Sequence, residues 1–372
     1  MSKRNRLHAI CPYFAMFPEQ FAQANLHRYS RKGDWVFDPF SGRGTTVLQA
    51  LLMGRKAAGM DISPVAYCIS AAKTNLPTLE RTLRRVGALA TMYAEADQRQ
   101  LEQERRALPV FFGRAFHYET LRQLLFLRSK LNWREGTVDC FIAALALGSL
   151  HGEMDKSRAY FSNQMPRTIS LKPAYSLSYW RTHELWPKKR EVFTMLKEKA
   201  ALRLEGNENV PKGRMRLQDA RRAGATFRSL TNRVKLVVTS PPYLDVTNFE
   251  EDQWLRLWFL GHDPEPTYRT ISRDDRHRQA TNYWSFLTEA WNGLASLMAR
   301  RSVIVCRIGG KGLSVGDLTE GMEKSLKTIF PHGRLIEAPV VSSLKNRQTQ
   351  SFTPDASGCV FEVDYAFATT PQ

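Results

Sequence analysis

Between Gly33 and Ser63 the apolar positions change period twice. Val36-Phe37 reads as a short buried strand, and Asp38 to Thr46 as a loop containing glycines. From Thr45 to Met53 the apolar residues recur at helical spacing, and Gly54 ends that run. Ala57 to Met60 reads as a second strand with an acidic residue, Asp61, at its end. The pattern predicts a βαβ unit of about 25 residues, slightly short for the motif.

A different rhythm follows. Leu79 to Leu108, rich in Arg, Glu, Ala and Leu, reads as helical, as do Phe116 to Leu131 and Val138 to Leu150. Between Lys156 and Arg190 the period dissolves into Pro, Ser, Tyr, Trp and basic residues, and Glu191 to Leu204 returns to helix. Strands resume at Arg214 to Leu217 and Lys235 to Thr239. A helix over Tyr283 to Met298, a strand over Ser302 to Arg307 and a helix over Leu318 to Ile329 come next. Leu335 to Val341 and Val360 to Phe367 complete the set as strands. The α/β alternation thus starts, is interrupted and resumes. It predicts an α/β, doubly wound sheet formed by residues 1–75 and 211–372, with a mostly helical inserted domain over 76–210.

Composition narrows the class. With 43% hydrophobic and 24% charged residues, the 372-residue chain has the make-up of a soluble globular protein. No run approaches the roughly 18 apolar residues of a membrane span. The basic N-terminus lacks the apolar stretch of a secretory signal, so a cytoplasmic protein is expected. Cys11, Cys68, Cys140, Cys306 and Cys359 are scattered, which suggests reduced thiols and no metal site. His151 lies near Glu153 and Asp155, but a lone histidine is better read as structural than as a ligand. A formal charge of +18 and a pI near 9.9 point to a polyanionic partner.

Two loops carry the chemistry. Asp38-Pro39-Phe40-Ser41-Gly42-Arg43-Gly44-Thr45-Thr46 lies between a strand and a helix, where open α/β sheets bind ligands. Its glycines let backbone approach a ligand, and the following helix offers free N–H groups. Asp61, roughly 20 residues on, is placed to accept hydrogen bonds from a ribose. The GK[ST] ending of a P-loop is absent. The second loop, Val237-Val238-Thr239-Ser240-Pro241-Pro242-Tyr243, ends a strand with two prolines. Proline nitrogens carry no proton while the carbonyls remain acceptors. With the Ser240 hydroxyl and the flat face of Tyr243, they make a slot suited to a planar base bearing an exocyclic amine.

Together these loops resemble the AdoMet-dependent DNA methyltransferases that modify exocyclic amines. DPFSGRGTT resembles their cofactor motif and TSPPY their catalytic motif, and Tyr13 to Gln20 is similar to a further cofactor-contacting segment. The resemblance covers roughly residues 11–75 and 214–367 and implies a Rossmann-like methyltransferase sheet of seven strands. It places Phe14, Phe17, Asp38, Pro39, Phe40, Gly42, Gly44, Thr45, Asp61, Ile62 and Asp219 at S-adenosyl-L-methionine. Among these, Asp61 would hold the ribose and Asp219 would meet the adenine amine. Ser240, Pro241, Pro242 and Tyr243 would receive a base flipped out of duplex DNA. The serine form of the catalytic motif favours cytosine N4 over adenine N6. An RNA methyltransferase acting on a guanine or adenine amine is the alternative. The Pro-Cys nucleophile of carbon-5 methyltransferases is absent, as fits direct transfer to an amine. A partner restriction endonuclease and a homodimer are both compatible with this reading.

Lys156 to Arg190 interleaves basic and aromatic residues. Arg158, Arg167, Lys172, Arg181, Lys188, Lys189 and Arg190 are expected to meet phosphates, and Tyr160, Tyr175, Tyr179 and Trp180 to stack or wedge. Asp245 to Gly261 reads as an apolar helix packed beside the site. Arg269 to Arg278 and Lys345 to Gln348 read as loops near the base pocket and over substrate.

Overall fold

The computed structural model describes residues 4–13, 17–154, 160–166, 172–244, 249–266, 280–310, 312–344 and 359–370. The chain forms two compact units. One combines Met1–Phe14, Asn75–Asn209 and Phe249–Thr270; the other combines Ala15–Thr74, Val210–Asn248 and Ile271–Gln372.

The second unit is built on a sheet. Its strands are β1 (Trp35–Asp38), β2 (Lys56–Asp61), β3 (Arg214–Leu217), β4 (Val234–Thr239), β5 (Met298–Ile308), β6 (Arg334–Leu335), β7 (Val340–Ser343) and β8 (Phe361–Ala368). The order is β3-β2-β1-β4-β5-β8-β6, with β7 also pairing β8. That path has the expected seven strands, and β7 is an addition to it. Neighbours from β3 to β5 are parallel, and β8 runs antiparallel to β5, β6 and β7. The winding reverses between β1 and β4, so the carboxyl ends of these strands flank a topological switch point.

Alternation along the central strands explains their unbroken apolar runs. Phe37 and Val237 enter one core cluster with Trp291, Leu294 and Phe367, while Val36, Leu236 and Val238 enter another with Val47 and Leu51. Both faces of the sheet are covered, so successive side chains must all be apolar. Helices Thr45–Leu52 and Pro64–Thr74 follow β1 and β2. Glu19–Tyr29 and Pro64–Thr74 are helices that the apolar period did not reveal, and Met298–Ile308 is a longer strand than the pattern suggested.

The other unit is helical. The long run expected over Leu79 to Leu108 is two helices, Leu79–Ala94 and Gln98–Ala107. Asp97 caps the second, its side chain accepting from the Arg99 and Gln100 amides. Helices Val110–Ala115, Tyr118–Lys130, Thr137–Leu147, Pro173–Thr182 and Val192–Leu204 follow. Phe249–Phe259 packs here as well: Trp254 lies edge-on to Phe111 and Phe112, and the Trp258 ring sits 4.5 Å from that of Phe112. The N-terminal residues also join this unit. Asn5 bonds Asn207, Arg203 bonds the Ala9 carbonyl, and a Cβ on Gly148 would meet the Ile10 carbonyl. The helical unit therefore takes in residues 1–14 and 249–270, which the sequence pattern had left with the sheet.

Candidate active site

The site grows from the carboxyl ends of β1, β2 and β4 in the sheet unit. Asp38 ends β1 and is buried. Its carboxylate accepts from the Phe40 amide at 3.1 Å and from Thr239 Oγ1 at 2.7 Å. Thr46 Oγ1 donates to the Val238 carbonyl at 2.9 Å. Two side-chain bonds thus tie the glycine loop and its helix to the strand that leads into Ser240-Pro241-Pro242-Tyr243. Burial pushes the Asp38 carboxyl up to about 7, against the lowering effect of its hydrogen bonds.

The loop itself is shaped by positive backbone angles, φ 49° at Gly42 and 75° at Gly44. Ser41 bridges it to β2 through its amide and the Met60 carbonyl. Ser70 donates to the Gly42 carbonyl at 2.7 Å, and the buried Lys73 ammonium to the Arg43 carbonyl at 2.6 Å. Asp61 ends β2, its carboxylate accepting from the Gly42 amide at 2.8 Å and the Ser63 amide at 2.9 Å. Desolvation raises its carboxyl to about 6, partly offset by those amides. Two accepted bonds leave lone pairs for further donors. Beside it, Ile62 is 62% exposed, an apolar side chain held in the open at the strand end.

Asp219 follows β3, which pairs with β2 through Asp61 and Leu217. Its carboxylate caps the turn at Ala220–Arg222 and receives the Arg221 guanidinium. Phe40 is partly buried with its ring 5.8 Å from that of Phe286. Pro39 and Thr45 are buried, and Phe17 packs in the core beside Phe21. Phe14 lies outside the described residues.

At the second loop, Ser240 Oγ lies 3.4 Å from the Tyr243 hydroxyl, which lies 3.0 Å from Glu362 Oε1. Arg307 grips Asp364 with two bonds of 2.6 and 2.7 Å and reaches Glu362 at 3.4 Å. Burial, then the Glu362 charge, raises the Tyr243 hydroxyl well above its ordinary value. The ring rests on Gly309, where a Cβ would meet Cδ2 at 3.1 Å. The direction of the chain follows from chemistry. An ionised Glu362 only accepts, so Tyr243 donates to it and Ser240 donates to Tyr243. That leaves the Ser240 lone pairs free to face an amine. Glu362 and Arg307 escaped the sequence reading, although Glu362 and Asp364 are charged residues inside a buried strand and could have flagged it.

Of the residues expected to meet nucleic acid, Arg158 and Arg167 lie outside the described residues, as do the loops at 269–278 and 345–348. Trp180 is a correction. Its ring is wholly buried against Phe111, and its indole N–H donates to the Gln164 carbonyl, so it packs a core and does not stack on a base. The helix Pro173–Thr182, hidden in a stretch of mixed composition, turns Trp180 inward. Lys189 is bridged to Glu119 and Glu191 and is no free cation. Lys172, Arg181 and Lys188 are exposed, Arg190 half-buried, and Tyr179 stacks on His183 at 4.0 Å. His151 Nδ1 meets Ser162 Oγ at 3.1 Å. Among the described residues no group of three or more His, Cys, Asp or Glu could hold a metal ion, and no helix is long and apolar enough to cross a membrane. All five cysteines are buried and free of disulfides.

Residues 2–72 match the family model described as DNA methylase, the N6/N4 methyltransferase type. The match takes in the glycine loop, Asp61 and Ile62, and stops short of Asp219 and the Ser240–Tyr243 loop. The chain is 38% identical over 71 residues to the type II methyltransferase M.MjaII of Methanocaldococcus jannaschii, covering 19% of this chain and 13% of that protein. It is 48% identical over 54 residues to the orphan methyltransferase M.BamHII of Bacillus amyloliquefaciens, 14% of this chain and 20% of that one. It is 30% identical over 131 residues to the type II methyltransferase M.BsoBI of Geobacillus stearothermophilus, 34% of this chain and 24% of that one. The chain therefore aligns with less than a quarter of the length of each of these relatives. Among solved structures, TrmN from Thermus thermophilus gives a TM-score of 0.38 at 11% identity, over 99% of this chain and 54% of that one, a likeness too slight to carry an argument.

Proposed function

We propose that the protein is an AdoMet-dependent DNA methyltransferase acting on an exocyclic amine, with cytosine N4 preferred over adenine N6. One observation carries this reading: the Asp38–Thr239 bond of 2.7 Å joins the ends of β1 and β4, from which the glycine loop and the SPPY loop depart at the switch point of the sheet. A donor bound at the first loop and a base at the second would then meet at one sheet edge.

The residues present suit S-adenosyl-L-methionine. The Asp61 carboxylate, anchored by two amides, retains acceptor capacity for ribose hydroxyls. The exposed Ile62 offers an apolar face to adenine, while Phe40, Pro39, Gly42, Gly44 and Thr45 line the loop beside it. Asp219 would reach the adenine amine only by sharing its carboxylate with Arg221. When bound, the cofactor supplies an electrophilic methyl group. The protein's own work is alignment. The Ser240 hydroxyl and the Pro241 carbonyl accept the two amine protons and turn the nitrogen lone pair outward. Tyr243, held by Glu362 and Gly309, seats the flipped base. The Ser240–Tyr243–Glu362 line gives the departing amine proton a hydrogen-bonded path toward a carboxylate.

The type II and orphan methyltransferase relatives support a place beside a restriction endonuclease or alone. The test is methyl transfer from labelled AdoMet to unmethylated duplex DNA, followed by nucleoside mass spectrometry. N4-methylcytosine is expected. N6-methyladenine would move the target base, and label in RNA with none in DNA would overturn the substrate class.

A further inference from the structure

In the helical unit, the segment 183–191 has no regular secondary structure yet is firmly held. The Leu185 amide donates to the Trp180 carbonyl, and its own carbonyl accepts from Asn163. Arg190 and Thr120 exchange two bonds, the amide donating at 2.8 Å and the Thr120 hydroxyl at 2.9 Å. Between these anchors Trp186 stands 69% exposed, followed by Pro187. A large ring on a fixed backbone presents a flat face at the surface that can stack on a partner.

The surroundings indicate which partner. The Arg114 guanidinium covers one side of the Trp186 ring at 3.7 Å. Tyr118, 49% exposed, lies on the same run of chain with the Arg122 guanidinium 5.4 Å from its ring. Arg122 Nε has no hydrogen-bond partner among the described residues. Lys188 is exposed. The nearby acids, Glu119 and Glu191, both bridge Lys189, and Glu119 also accepts from the Tyr118 hydroxyl. The Arg114 and Arg122 guanidiniums thus lie against rings, and Lys188 faces solvent. Alternating flat faces and cations match a nucleic-acid strand, with phosphates for the cations and sugar or base faces for the rings.

We propose that Trp186, Arg114, Tyr118, Arg122 and Lys188 form a docking face for duplex DNA. The proposal rests on the DNA reading above. It moves the contact from Trp180, which is buried, to Trp186 and to a helix pair that the basic stretch 156–190 did not include.

The test uses the full chain, a fluorescent duplex and three proteins: wild type, Trp186→Ala, and Arg122→Gln with Lys188→Gln. Trp186→Ala is expected to weaken DNA binding by about 5- to 150-fold, the range of one stacked base. The double variant is expected to lower the slope of log K against log salt by about 2. Affinity for AdoMet, measured by calorimetry, and the far-ultraviolet spectrum should match wild type, which separates a lost contact from a misfolded unit. Wild-type DNA affinity and slope in both variants would overturn the docking face and leave the methyltransferase reading intact. Wild type that binds no duplex DNA would overturn both, and tight binding of RNA alone that depends on Trp186 would reassign the face to RNA and overturn its DNA role.

Discussion

At the scale of single residues the site is a set of buried charges whose protonation matters. Asp38 and Asp61 both have carboxyls raised by burial, to about 7 and about 6. Such a group binds its proton more tightly folded than unfolded. Stability is therefore present at low pH and is lost as pH rises from about 4 through the folded values. Asp38→Asn keeps an acceptor for Phe40 and Thr239 while removing the buried charge, so urea unfolding should show a gain at about pH 8 that shrinks steadily as pH falls toward about 4. Asp61 acts in the opposite sense on ligand binding. If its ionised carboxylate accepts from ribose, calorimetric AdoMet affinity should fall as pH drops below about 6, and Asp61→Asn should flatten that dependence. Glu362 fixes the donor direction of the Ser240–Tyr243 pair. Glu362→Gln can donate back to Tyr243, and single-turnover methyl transfer should slow by about 10-fold or more with AdoMet affinity unchanged. Unaltered turnover would remove Glu362 from the site.

At the scale of elements, the two loops were legible because their signals are local. Gly42, Gly44, Pro241 and Pro242 each dictate backbone shape within a few residues, and strand, loop and helix followed in order. What was hidden depends on packing at long range. The sequence pattern did not show that residues 249–259 pack on Phe111 and Phe112, because an apolar helix suits either core. Trp180 read as a free ring until its helix turned it inward. Glu362 reaches Tyr243 across 119 positions of sequence. The join between Gly44 and the helix Thr45–Leu52 is the most sensitive local point. At φ 75° a Cβ would sit 2.8 Å from Ser70 Oγ. Gly44→Ala should cost about 2 kcal/mol through backbone strain and that clash, read as a lower midpoint in urea, and AdoMet affinity should fall with it. A variant of wild-type stability and affinity would show that the loop tolerates another path.

At the scale of the whole molecule, charge and core make separate demands. The chain carries a formal +18, so its like charges repel in the folded state and salt relieves that repulsion. The proposed DNA binding should respond in the other direction, because each phosphate neutralised releases a counterion that added salt puts back. Raising salt from about 50 to 200 mM should weaken binding to duplex DNA by about 1,000-fold if six phosphates are contacted. The thermal midpoint should hold or rise over the same range. Trp291 separates the two effects. It is fully buried in the sheet unit, its indole N–H donating to Ser325 Oγ at 3.2 Å, and it belongs to the core cluster that contains Phe37 and Val237. Trp291→Phe removes the hydrogen bond and part of the packed volume, at about 1–3 kcal/mol, without touching surface charge. The variant should melt earlier at every salt concentration while its DNA binding keeps the wild-type slope. A changed slope would mean that the phosphate contacts depend on the packing of the sheet core.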